Sequence, residues 1–146
     1  MFAKLFKNRG ARFYIELCAG FLTIVAALIF FALDRQILVD IKFSDSSEWT
    51  LIYLLVGGLV LILDAFFPLP FLGVAGTILL GLGIGSHLRI ACYPMADLGQ
   101  NVPFFTGSTE KATAAVTLFV TFLIIFLLFG IASIVCNFLS PKKAER

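Results

Sequence analysis

Histidine occurs once in this chain, at His87, and tryptophan once, at Trp49. One imidazole excludes a multi-histidine metal cluster and leaves a single histidine for acid–base chemistry. The three cysteines, Cys18, Cys92 and Cys136, form no C-x-x-C or metal-spaced set, so each reads as a small packing residue. No G-x-S-x-G, H-E-x-x-H or phosphate-cradling loop occurs, and the proximity of His87 to Cys92 carries no thiol–base chemistry by itself. The run Gly81–Gly85 holds three glycines inside an apolar stretch, which is not where a nucleotide loop forms. There is no N-x-S/T acceptor to argue for a glycosylated surface protein. Charge is scarce too: 14% of residues are Asp, Glu, Lys or Arg, against about 25% in a soluble domain. No basic run reaches five residues, so nucleic acid is not an expected partner. No enzyme, metal or cofactor is expected.

What the chain has instead is apolar length. Sixty per cent of its 146 residues are hydrophobic and 17 are Phe; the mean hydropathy is +1.03. Four apolar stretches, at 13–33, 51–67, 71–88 and 114–139, take up more than half of it. A bilayer core of about 30 Å needs about 20 largely apolar helical residues to cross it. The first and last stretches meet that length, and the middle two fall at its short end. The expectation is an all-α integral membrane protein, one membrane domain over 1–146, with four transmembrane helices in a small bundle. The first stretch is too long for a signal-peptide core and leaves through Phe30-Phe31-Ala32-Leu33-Asp34 without an A-x-A site, so it reads as a retained signal anchor.

The cations set an orientation. Lys4, Lys7, Arg9 and Arg12 precede the first stretch, and Lys142, Lys143 and Arg146 follow the last. The intervening connections hold Arg35 and Lys42, then Arg89 and Lys111. The positive-inside rule therefore expects both termini in the cytoplasm, with the plasma (inner) membrane as the location. The first twelve residues interleave Phe2, Leu5 and Phe6 with these cations, a pattern suited to a membrane surface carrying anionic headgroups. Trp49 and Tyr53 stand where an interfacial aromatic belt is expected.

The connections differ. Residues 37–43 alternate with period two, as an extended strand does, and Ser46 or Ser47 is a candidate helix cap. Pro68 and Pro70 break the chain between the second and third stretches and force a tight hairpin. A re-entrant hairpin is the rival to two full spans. The acidic Asp64, the aromatic pair Phe66-Phe67, Pro68 and the glycine-rich helix that follows resemble the hairpin of NfeD-type membrane proteins. The resemblance covers the hairpin alone, the soluble β-domain of that family is missing, and no function comes with it. Residues 89–111, with Pro94, Gly99, Pro103 and Gly107 as breakers, read as a long loop. Ser108 or Thr109 is the expected start of the last helix and Pro141 lies just beyond its end.

Two groups of residues are candidates for function. Gly73, Thr77, Gly81 and Gly85 recur every four residues on the third stretch. Membrane helices approach one another at such small residues, so this stripe is expected to be the tightest helix contact or a partner interface, with Leu80 on a looser face. Weaker stripes are Ala19, Thr23 and Ala27, and Thr113, Thr117 and Thr121. Ionisable groups inside spans are costly and therefore suspect. Glu16 stands one turn into the first span, paired with Arg12 four residues earlier, and Asp64 one turn before the Pro turn. Together they are a possible ion or proton site, although each lies near an interface rather than at the midplane, where transport sites are usually built. The best reading is an accessory or scaffold component of a membrane protein assembly, in contact with lipid and with another membrane protein or itself. The alternative is the protomer of a homo-oligomeric small-solute or ion transporter or channel.

Overall fold

The computed structural model describes residues 10–37, 45–100 and 109–139. They form four helices: α1, Ala11–Ile37; α2, Asp45–Phe66; α3, Pro70–Gln100; and α4, Thr109–Phe138. No strand occurs among the described residues. Each helix contains a segment long and apolar enough to cross a membrane, with limits Ala11–Leu33, Glu48–Phe66, Phe71–Arg89 and Thr113–Phe138. Only 28–39% of each span is buried inside the bundle. What remains outside is still apolar: Phe21, Leu28, Leu59, Ile78, Leu128 and Ile131 are all about half exposed. A monomer in water does not present apolar surface on that scale, whereas acyl chains solvate it. This is an integral, multi-pass membrane protein.

The helices alternate in direction and pack as a ring, α1 on α2 and α4, and α3 on α2 and α4. The core at its centre includes Ala26, Ala27, Phe30, Leu54, Leu61, Leu80, Phe119 and Phe126, all buried. Aromatic rings fill the volume near α4, where Phe30 meets Phe119, Phe122 and Phe126 at centroid distances of 5.7, 5.4 and 6.3 Å. On the opposite side the backbones themselves come together. A Cβ at Gly20 would stand 2.6 Å from the carbonyl oxygen of Gly58, and one at Gly58 would stand 2.8 Å from that of Gly20. That crossing of α1 and α2 is possible only because neither residue has a side chain.

The hairpin turn follows from its prolines. α2 ends with Phe67 N–H donating to Leu63 C=O at 2.8 Å, and Leu69 N–H closes a tight turn on Phe67 C=O at 2.7 Å. Pro70 then takes the first position of α3, where its missing N–H would have had no helical partner in any case. α2 and α3 run the full length of the bundle beside α1 and α4, and each 19-residue span rises about 28 Å at 1.5 Å per residue. The short-span premise of a re-entrant hairpin is gone.

Three local expectations are corrected. α2 already begins at Asp45, so Ser46 and Ser47 lie inside its first turn rather than capping it. α3 does not stop near Leu88 but continues through Pro94 to Gln100, so much of the long polar loop is helix. One proline removes one backbone hydrogen bond, and the helix-tolerant Ala91, Met95, Ala96 and Leu98 around it carry the helix past that point. The period-two strand expectation fails at its first residue, since Ile37 closes α1 as helix, and residues 38–43 lie outside the described ones. Lys4, Lys7 and Arg9 lie outside them as well.

Candidate functional site

Polar groups collect at the two ends of the bundle, and one end holds a charged cluster shared by the helices. Arg12, at the start of α1, donates from Nε to Glu16 Oε1 at 2.7 Å and from Nη2 to Asp64 Oδ2, on α2, at 2.7 Å. Its Nη1 reaches the carbonyl oxygen of Leu139 just beyond α4 at 3.5 Å. Glu16 and Asp64 are 1% and 0% exposed, and the Arg12 side chain only 13%. Two carboxylates thus share one guanidinium in a place from which water is nearly excluded. The i, i+4 spacing places Arg12 and Glu16 on one face of α1; the hairpin brings Asp64 to the same level from α2.

The cluster continues into α3 and α4 through hydroxyls. Thr77 Oγ1–H donates to Gly73 C=O at 2.9 Å. Having given its one proton there, Thr77 accepts from Ser133 Oγ–H at 2.6 Å and from Asn137 Nδ2 at 2.9 Å. That fills the one-donor, two-acceptor capacity of a hydroxyl. Gly73 is the floor on which these groups meet. A Cβ there would stand 2.8 Å from Asp64 Oδ2 and would collide with Asn137 Oδ1. Cys136 is buried beside them. Every other side-chain oxygen or nitrogen buried at this end has a partner, but Asp64 Oδ1 has none among the described residues.

At the far end, His87 on α3 is fully buried. Its Nε2 lies 2.9 Å from the carbonyl oxygen of Phe119, and since a carbonyl can only accept, that nitrogen carries the proton. Phe30 and Phe126 stand edge-on to the imidazole at 4.7 and 5.3 Å. Nδ1 has no partner among the described residues. Nearby, Thr50 Oγ1–H donates to Ser86 Oγ at 2.9 Å across α2 and α3. No group of three or more His, Cys, Asp or Glu converges among the described residues.

The residues singled out in the sequence are redistributed by this geometry. Glu16 and Asp64 do come together, through Arg12. Arg12 itself, grouped in the sequence with cations of the membrane surface, turns inward. His87 sits inside the aromatic core. The glycine stripe divides. Gly73 and Thr77 face the interior, whereas Gly81 and Gly85 have no atom of a neighbouring helix, among the described residues, within 4 Å of where a Cβ would stand. The expectation that Gly81 marks the tightest internal contact is therefore wrong, and so is a looser place for Leu80, which is 1% exposed. Ala19, Thr23 and Ala27 are buried as their spacing suggests, but Thr113, Thr117 and Thr121 face outward.

The open glycines have surroundings of their own. Gly81 and Gly85 floor an outward-facing groove of about 640 Å³ walled by Trp49, Tyr53, Leu82, Ser86 and Arg89. Trp49 and Tyr53 pair at 6.0 Å along its rim. Sequence reasoning missed Asn137, Ser133 and Gly20–Gly58. Asn137, the only amide side chain within the apolar spans, was the one legible signal among them. Compared with family models, curated proteins and solved structures, this membrane chain matches none, and the likeness of its hairpin to NfeD-type proteins finds no wider counterpart.

Proposed function

We propose that this protein is an accessory or scaffold component of a membrane protein assembly, docking through the outward face of α3 onto another membrane protein or a second copy of itself. The observation that carries the reading is the difference among the glycines of one helix. Gly73, Gly76 and Gly83 are occupied by the protein's own Asp64, Leu61 and Leu54, while Gly81 and Gly85, on successive turns, are left open by the described residues. A helix backbone in lipid gains contact by closing on such positions, since burial from water contributes nothing there. The aromatic rim of Trp49 and Tyr53 adds large, rigid contact area beside them. The reading is non-catalytic, and it is preferred to a transporter or channel protomer because the middle of the bundle is filled by Phe30, Leu54, Leu61, Leu80 and Phe126.

The test is substitution of the open face. Gly81→Leu should leave the detergent melting temperature of the purified monomer unchanged and abolish the copurification of a stoichiometric partner, or of a differently tagged second copy, from native membrane. Retention of every partner by a well-folded Gly81→Leu protein would mean that this face meets only lipid.

A further inference from the structure

Among the described residues, the charges at the Arg12 end do not balance. The titratable and charged groups facing one another there, among the described residues, are Arg12 and Glu16 from α1, Asp64 from α2 and the Cys136 thiol from α4. α3 contributes only the Thr77 hydroxyl and the backbone of Gly73. With both carboxylates ionised, one guanidinium faces two negative charges, and the excess charge is buried. A neutral carboxyl is far cheaper to bury than an uncompensated carboxylate. A second observation is independent of that count. Asp64 Oδ2 is engaged by Arg12, but Oδ1 of the same group is buried and accepts from no donor among the described residues. An ionised carboxylate seeks hydrogen bonds at both oxygens, so the bare oxygen marks a carboxyl pair whose negative charge is under-compensated.

A metal cation fits this arrangement poorly. The guanidinium already bridges the two carboxylates and would repel it, and no group of three or more His, Cys, Asp or Glu among the described residues is arranged to hold a metal ion. A proton needs neither space nor a coordination shell. We infer that the Arg12–Glu16–Asp64 cluster is a binding site for one exchangeable proton held by its pair of carboxyls. The step is simple: a carboxylate takes a proton from water and becomes the neutral acid, no other covalent bond changes, and release is the reverse. Because the core between this end and His87 is apolar and packed, the proton exchanges with one side of the membrane and does not cross. What it controls is the joint at which α1 and α2 meet the end of α4, since release leaves a buried negative charge within hydrogen-bond reach of that joint. This goes beyond a docking role and does not depend on it.

Infrared spectroscopy of the purified full chain in liposomes tests the inference. At neutral pH the protein should show a protonated-carboxyl C=O band that shifts on exchange into D2O. The band should be lost in Asp64→Asn or in Glu16→Gln, and a pH dye inside the vesicles should report no flux. Absence of the band from the folded wild-type protein at neutral pH would overturn the inference, because both acids would then be ionised and compensated by water or an ion. A band that survives both substitutions would overturn it too, by placing the proton on another acid. Proton flux through the wild-type protein would overturn the confinement to one side.

Discussion

Arg12 is the residue on which most of the polar structure depends. It is the sole cation among the described residues at its end of the bundle, and it reaches three helix ends at once. Removing one partner of a buried ion pair typically costs about 3–5 kcal/mol, because the other charge stays behind. Arg12→Ala should therefore lower stability by about that much, read as a fall in detergent melting temperature. Arg12→Lys should recover only part of it, since an ammonium cannot present two donors in a fork. The local half of this cluster was legible in the sequence: Glu16 four residues after Arg12 on a helix is a pair by spacing alone. The other half was not. Asp64 stands 52 positions away, and nothing in an apolar sequence reveals how α1 and α2 are rotated about their axes. A side chain near a span boundary can turn toward headgroups or inward, and only the neighbouring helices decide which.

At the scale of elements, α3 shows why small-residue spacing misleads. Steps of four residues advance about 400° around a helix of 3.6 residues per turn, so a stripe taken every four residues drifts about 40° each time. From Gly73 to Gly85 the drift is about 120°, and the stripe leaves the core and emerges on the outside. The positions that stay buried are Gly73, Gly76, Leu80, Gly83 and His87, the alternation of three and four that keeps one seam facing its neighbours. The four spans and the Pro turn could be read from composition and chain-breaking chemistry, but the facing of each helix could not. Leu80→Phe should accordingly be the damaging change on α3, since overfilling a packed core costs about 1–3 kcal/mol, while Gly81→Leu leaves melting intact. The reverse order would mean that the helix is rotated from the orientation described. On α1, Gly20→Leu should be the most severe of the three, because its side chain would meet the Gly58 carbonyl rather than a movable side chain; detergent melting and expression in the membrane fraction are the measurements.

For the whole molecule, the four helices alternate, so the Arg12 end gathers the start of α1, the α2–α3 turn and the end of α4 on one face of the membrane. With the cation bias of the termini, that face is expected to be cytoplasmic. Membrane-impermeant thiol labelling of intact cells should modify Cys92 and spare a cysteine introduced at Ala144. Labelling at Ala144 with Cys92 protected would mean the inverse orientation. The same gathering of ends has a consequence for biogenesis. As spans leave the insertion machinery in chain order, Arg12 enters with Glu16 already beside it, and Asp64 arrives one hairpin later. The carbonyl of Leu139 and the donors Ser133 and Asn137 come only with the last helix. Until then Thr77 lacks both donors that α4 supplies. The polar end therefore fastens only when α4 arrives, and α4 locks the other three helices much as a buckle locks a strap.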